Sequence, residues 1–330
     1  MNQICAALVL LCAGADTPDS RQLTPEEFKQ RALAEWKAFA FRFNSGRRKT
    51  ERTFLRSVDG QDFRRTRTDI VRFDFSPAGY MFSAEIKEYG IDDRVAEYYH
   101  NLEIQNTKYK AALRKPKDKD VWILVSHESK GFSPESTDSA GNILPWLRCG
   151  NVYLHQWIGE DCFVITRIEP VQSSDAGYLR VHFRHDPQRS GFQKDRGGSI
   201  LSGTIDFDQA RNFQVLRYHF IMRSGNVDTI EDGSFDYEPV GTSMAKRLTV
   251  ERPMGGLKLK TGIAREVSVF EVERGARIPE EEFRLTHYGL PEPVEVQWKK
   301  ATPLYVWFLV GAGCLFAVAI VFWFAARRRK

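Results

Sequence analysis

The sequence predicts an α+β protein, mostly antiparallel β, that ends in one transmembrane helix. Three observations lead there. Apolar and polar residues alternate with a period of two through most of the 330-residue chain, which is the pattern of half-buried strands. The turns between these runs are too short to hold crossover helices, so neighbouring strands pair antiparallel in a meander. Finally, Leu304–Ala326 contains 23 residues without a charge. At 1.5 Å per residue that is roughly 34 Å, enough to cross a hydrocarbon core.

Before the strands come two local signals. Ile4–Cys12 is a short apolar run, and Ala13-Gly14-Ala15 has the small-residue pattern of a signal-peptide cleavage site. Thr24-Pro25-Glu26-Glu27 then opens a helix. Thr24 supplies the cap, Pro25 suits the first helical position, and Glu27 completes a capping box. Phe28, Ala32, Leu33 and Trp36 follow at helical spacing, so an amphipathic helix is expected to about Lys37.

At Phe39, Phe41 and Phe43 the period changes to two, the first strand signal. Thr53–Val58 and Asp62–Thr68 flank Asp59-Gly60, a two-residue hairpin turn. Val71, Phe73 and Phe75 alternate up to the turn Ser76–Gly79, and Tyr80, Phe82, Ala84 and Ile86 alternate after it. Thr107–Arg114 and Val121–Ser126 read as two further strands. Residues 128–142 are a polar loop. From Ile143 to Ile158 the apolar spacing predicts a second helix, interrupted at Gly150. Strands are then expected at Phe163–Glu169, Tyr178–Arg184, Gly203–Phe207, Phe213–Met222, Ser234–Tyr237, Met244–Val250 and Arg265–Val272. So many strands favour one large sheet over two unrelated domains.

Charge excludes one function class. The net charge is +5, and Arg327–Lys330 supply four of those charges. The body is nearly neutral, so no nucleic-acid partner is expected. Ser45–Arg72 holds nine basic residues against four acidic ones, and Asn226–Gln297 holds nine basic against fourteen acidic. The first segment offers a candidate basic patch, Arg47, Arg48, Arg64, Arg65 and Arg67, for lipid headgroups, acidic glycans or a partner protein.

The cationic tail also orients the span, with Lys330 in the cytoplasm and the bulk of the chain outside it. The expected organisation is a signal peptide at 1–15, an extracytoplasmic β-rich domain at 16–298, and a juxtamembrane linker at 299–303. A transmembrane helix at 304–326 and a cytoplasmic tail at 327–330 complete it. The outcome is a single-pass protein of the cell membrane.

Of five cysteines, Cys5 and Cys12 fall in the signal peptide and Cys314 in the span. Cys149 and Cys162 remain as a candidate disulfide, provided the helix between them breaks near Gly150 or Gly159. No metal and no cofactor is expected. Cys149, His155 and Cys162 match no zinc spacing, and His182 and His185, three apart in a strand, face opposite sides. Phosphate-loop, nucleophile-elbow and zinc-protease motifs are absent from the sequence. A catalytic residue would need one of His127, His155, His182 or His185 to meet a carboxylate, so a non-enzymatic role is expected.

Two segments carry a resemblance: Ser202–Tyr218, a strand, an acidic turn and a strand ending in an aromatic, and Pro279–Pro293 (PEEEFRLTHYGLPEP). With the N-terminal helix and the meander, the chain resembles a bacterial signal-peptide/C-terminal-anchor family with a LolA/LolB-like half-barrel ectodomain. That resemblance implies a curved half-barrel sheet with covering helices and a cavity for a lipid, an acyl chain or another apolar ligand. Phe39, Phe41, Phe43, Phe73, Phe75, Tyr80 and Phe82 would line it. The alternative is an envelope structural or interaction protein whose core is filled and whose partner is another envelope protein.

Overall fold

The computed structural model describes residues 23–40, 45–58, 60–90, 92–117, 119–129, 131, 147–149, 152–172, 177–191, 199–237, 244–254, 261–294, 296, 312 and 315. Met1–Leu290 forms one compact unit and Pro291–Lys330 a second. In the second unit Ala312 and Leu315 are helical. Among the described residues no helix is long and apolar enough to cross a membrane. The expected span Leu304–Ala326, apart from those two residues, lies outside them, as does the expected signal peptide.

In the first unit α1 (Pro25–Ala40) precedes the strands. Its capping box is formed: Glu27 N–H donates to Thr24 Oγ1 at 3.2 Å, and Thr24 N–H donates to Glu27 Oε2 at 2.9 Å. The helix runs past Lys37 and takes in Phe39 and Ala40. The period-two signal there is therefore overridden by continuation of the helix.

Strands β1 (Gly46–Val58), β2 (Arg64–Ser76), β3 (Gly79–Tyr89), β4 (Val95–Asn106), β5 (Lys110–Lys115) and β6 (Ile123–Glu128) form one antiparallel meander. A two-stranded hairpin, β7 (Arg148–Cys149) and β8 (Val152–Tyr153), leads into the single helical turn α2 (Leu154–Trp157). Among the described residues the second helix expected from Ile143 to Ile158 is seen only as α2; Ile143–Trp146 lie outside them. Arg148–Cys149 and Val152–Tyr153 pair as strands where the spacing predicts helix. A second meander follows: β9 (Phe163–Val171), β10 (Tyr178–His185), β11 (Ser199–Asp208), β12 (Gln214–Ser224), β13 (Val227–Tyr237), β14 (Ala245–Met254) and β15 (Gly262–Arg274).

Pairing of β1 with β15 joins the two meanders into one curved antiparallel sheet of 13 strands, ordered 6-5-4-3-2-1-15-14-13-12-11-10-9. The first and last long strands thus meet at its centre. The face that carries α1 and α2, here the inner face, buries Phe28, Ala32 and Trp36 of α1 and Trp157 of α2 against Phe163, Phe183, Phe207 and Phe220. Over β9–β13 this core is a run of touching aromatic rings, Phe163 on Phe183 at 4.8 Å and Tyr218 on Phe220 at 4.4 Å. Trp36 Nε1 reaches across to the carbonyls of Asn212 and Phe213, at 3.1 and 3.2 Å.

The outer face of the first meander has a smaller core of its own. Met81, Leu102, Ile104, Ala111 and Leu113 lie under Phe283 and Leu285, which belong to two 3-10 turns at Glu280–Phe283 and Leu285–Tyr288. Asn106 Nδ2 donates to the Phe283 carbonyl at 2.8 Å, and Leu285 N–H donates to Tyr109 Oη at 2.8 Å. Glu280–Tyr288, within the segment that carries part of the family resemblance, therefore covers the back of the sheet, clear of the inner face.

Candidate functional site

Strand register decides which side chains share the inner face. Directly opposed residues point the same way and alternate residues point apart. Phe270 of β15 opposes Thr50 of β1, which opposes Val71 of β2 and then Ala84 of β3. One step along, Ser268, Arg52, Asp69, Ile86 and Tyr99 form the next row. The row beyond holds Val250, Glu266, Phe54 and Arg67. On the other side, Val272, Arg48, Phe73 and Phe82 align.

These rows place an arginine-rich band at the centre of the inner face, beside the aromatic core. Asp69 is 2 % exposed and serves two guanidinium groups. Arg67 binds it through two hydrogen bonds, at 2.6 and 3.0 Å, and Arg52 Nε stands 3.9 Å from Asp69 Oδ2. The Asp69 hydrogen bonds raise the Arg67 pKa, and Glu88 and Glu266 also act on Arg67 to raise it further. Across β15, Arg252 pairs with Glu231 at 2.7 Å and with Glu266 at 3.7 Å, and Tyr218 Oη donates to Glu231 at 3.0 Å. Burial first, and the Glu231 carboxylate next, push the Tyr218 phenol well above its ordinary range, so it remains a donor. Arg67 also lies over the Phe54 ring, 5.2 Å from its centroid.

Thr50 Oγ1 and Arg52 Nε are buried in this band and make no hydrogen bond. Leaving such groups unmatched costs about 1–3 kcal/mol each; Arg52 still faces Asp69 across 3.9 Å. Next to the band, Phe54 and Ile86 are half-buried, and Phe82 and Tyr99 are exposed. The result is an apolar strip across β1–β4 that ends on arginines.

The expected lining residues divide accordingly. Phe73 and Phe75 close into the core beside α1, and Tyr80 stacks on Phe73 with centroids 6.0 Å apart. Phe82, on the same face, stays open. Phe39 is helical, and Phe41 and Phe43 lie outside the described residues.

The expected basic patch does not assemble. Alternation sends Arg47 to the outer face, where it meets Asp74 at 3.1 Å and Glu282 at 3.6 Å. Arg64 is exposed at the start of β2, and Arg65 pairs with Asp93 and lies 4.1 Å from the Tyr89 ring centroid. Arg48 and Arg67 share the inner face, with Arg52 between them on β1. Arg52 was not singled out as a site residue, and Arg252 arrives from the far end of the sequence. The signal for Arg52 was its place two residues after Thr50 in a strand with an alternating pattern. Nothing local marks Arg252.

The acidic surplus at 226–297 is also absorbed. Asp228 pairs with Arg223, Glu251 with Arg265, and Glu282 with Arg72. On the outer face a polar groove of about 460 Å³ runs past Arg180, Asp206, Arg217 and Ser234. Its arginines are both committed to Asp206, so it offers fewer open donors than the inner band.

Cys149 and Cys162 are both free thiols. The disulfide weighed between them is not formed: Cys149 is enclosed in the core, while Cys162 stands beside Glu160 and His185. His182 and His185 do face opposite sides, His182 outward to Glu169 at 2.9 Å and His185 inward to the Ile200 carbonyl at 3.0 Å.

No protein-family model and no curated protein matches the chain. Among solved structures it is similar to a DUF1329 family protein from Desulfovibrio piger, at 10% identity over 81% of this chain and 100% of the other, with a TM-score of 0.40. It is also similar to the lipoprotein LppX of Mycobacterium tuberculosis, at 10% identity over 72% of this chain and 92% of the other, with a TM-score of 0.25.

Proposed function

We propose that the chain is a binding module for an amphiphile, a lipid or another apolar ligand with an anionic head, seated in a half-barrel on the inner face of the first meander. The observation that carries this reading is the apolar strip Phe54, Phe82, Ile86 and Tyr99 adjoining Thr50 Oγ1 and Arg52 Nε, buried polar atoms without hydrogen bonds. An acyl chain suits the strip through apolar burial, about 0.8 kcal/mol per CH₂. A phosphate or carboxylate suits the arginines, where charge-assisted bonds are strong. This reading is of binding, not catalysis: His182 meets Glu169 and His185 meets Glu160, but both pairs lie on β9–β10 and the turn before it, away from the strip on β1–β4. The module works outside the cytoplasm, held at the membrane by Leu304–Ala326, a placement supported by the uncharged run and the cationic tail. Tethered there, it receives or presents its ligand at the membrane surface.

Native mass spectrometry of the purified full chain, with uptake of a fluorescent fatty acid, tests this. The expected result is a co-purified lipid mass and saturable uptake that anionic lipid displaces. The absence of both a lipid mass and saturable uptake would overturn it. The aromatic packing over β9–β13 favours an interaction protein with a filled core in that half of the sheet, and this second reading extends to the whole chain if both assays fail.

A further inference from the structure

Glu160 and Cys162 lie in the turn that follows α2, and His185 ends β10. Phe163 opposes His185 in the β9–β10 pair, so the ladder itself sets Cys162 beside the imidazole. Three donor atoms meet there. Cys162 Sγ is 3.4 Å from Glu160 Oε2 and 3.5 Å from His185 Nε2, and His185 Nε2 is 3.5 Å from Glu160 Oε2.

We propose that Glu160, Cys162 and His185 form a zinc site, with a water as the fourth ligand. The triangle has the right size. A tetrahedral ion with Zn–S of about 2.3 Å and Zn–N and Zn–O of about 2.0–2.2 Å separates its ligands by roughly 3.3–3.6 Å. The imidazole is also oriented for the task. Its Nδ1 faces the Ile200 carbonyl at 3.0 Å, which places the proton on Nδ1 and the lone pair of Nε2 in the triangle. The carboxylate is held by Ser190 Oγ, which donates to Oε2 at 2.7 Å, and by Gly191 N–H, which donates to Oε1 at 2.7 Å. Trp157 closes one side, its ring 5.4 Å from that of His185.

A catalytic thiol would be arranged differently. In a nucleophile–base–carboxylate relay the carboxylate binds the far nitrogen of the imidazole. Here a backbone carbonyl occupies that nitrogen, and the carboxylate joins the thiol on the near side. Three donors converging on one point suit a cation. On binding, Zn²⁺ replaces the Cys162 thiol proton, which leaves to solvent.

The test uses the full chain stripped with chelator and titrated with Co²⁺, then Zn²⁺. One equivalent of Co²⁺ is expected to give a thiolate-to-cobalt charge-transfer band and the visible bands of a tetrahedral ion, bleached by one equivalent of Zn²⁺. Cys162→Ser removes the charge-transfer band. Glu160→Gln, which keeps much of the hydrogen bonding and hence the fold, weakens Zn²⁺ at least tenfold with an unchanged circular dichroism spectrum. Ser190→Ala weakens it roughly 10- to 100-fold through the carboxylate it orients. Absence of a saturable band overturns the site, as does a band that survives Cys162→Ser or a Zn²⁺ affinity unmoved by Glu160→Gln.

Discussion

The ring of Tyr218 lies across Gly233 on the neighbouring strand, so close that a Cβ on Gly233 would fall among the ring atoms. The missing side chain lets Tyr218 reach Glu231 and tie the aromatic core to the arginine band. Gly233→Ala should displace the ring, strand the buried Glu231, and lower stability by about 1–3 kcal/mol through overpacking. Tyr218→Phe removes only the hydroxyl and should cost less, because Arg252 still neutralises Glu231. Urea denaturation of the two variants side by side measures the order; equal losses would show that the close approach is not what matters.

A second contact holds α1. Trp36 Nε1 donates to the carbonyls of Asn212 and Phe213, two non-glycine residues with φ of 56° and 53°. Left-handed backbone is costly for a bulky residue, so the turn depends on its partners. Trp36→Phe keeps an aromatic ring in the core but leaves those carbonyls without the indole. A loss of about 1–3 kcal/mol is expected, with faster amide exchange at 212–214 as the local readout. Unchanged exchange there would detach the helix from the turn.

Much of this fold is legible in the sequence because its signals are local. Thr24 and Glu27 announce the start of α1, Asp59-Gly60 announces the β1–β2 turn, and Val71, Phe73 and Phe75 announce a buried strand face. The arginine band is not legible in that way. Arg48, Arg52 and Arg67 look like a surface run until the pairing register separates them from Arg47, Arg64 and Arg65. Arg252 joins only because β15 closes on β1, and pairing across two hundred residues leaves no periodic trace. The Glu160–Cys162–His185 triangle is hidden too: Cys162 precedes β9 and His185 ends β10, and only the β9–β10 register brings them together.

His100 gives the fold a pH dependence with a definite sign. It sits 4.7 Å from the Trp122 ring and 3.1 Å from Ser83 Oγ, and desolvation lowers its pKa from the ordinary value of 6.5. Glu85 opposes that shift and Lys115 adds to it. Below about pH 6.5 the unfolded chain binds a proton that the folded chain resists. The His100 contribution therefore destabilises as pH falls through the unfolded value, and it levels off once the folded group is also protonated. Midpoint denaturant concentration should drop between pH 7 and 5 in the native chain and drop less in His100→Gln; parallel curves would remove His100 as the cause.

Phe73 and Phe82 stand opposite each other on one face, yet only Phe73 is enclosed, with Phe82 36 % exposed. Their substitutions should separate stability from binding. Phe73→Ala empties part of the core and should cost about 3–5 kcal/mol. Phe82→Ser should leave the melting temperature almost unchanged and weaken fatty-acid uptake severalfold. A stable Phe82→Ser chain with undiminished uptake would take the strip on β1–β4 out of the binding surface.

Thr50→Val is the sharper test, because it removes a buried hydroxyl that makes no hydrogen bond. The isosteric valine therefore relieves a desolvation cost and should hold or raise stability by up to about 1–3 kcal/mol. If the hydroxyl faces an anionic head, the same change weakens anionic amphiphiles by about tenfold, the worth of one good hydrogen bond. Arg52→Met should weaken them further, since it removes the guanidinium that Asp69 shares with Arg67. Neutral apolar probes should respond to neither. Stability and affinity thus move in opposite directions for Thr50→Val, which a purely structural threonine does not allow; a variant that is more stable and binds equally well would leave the arginine band as internal packing.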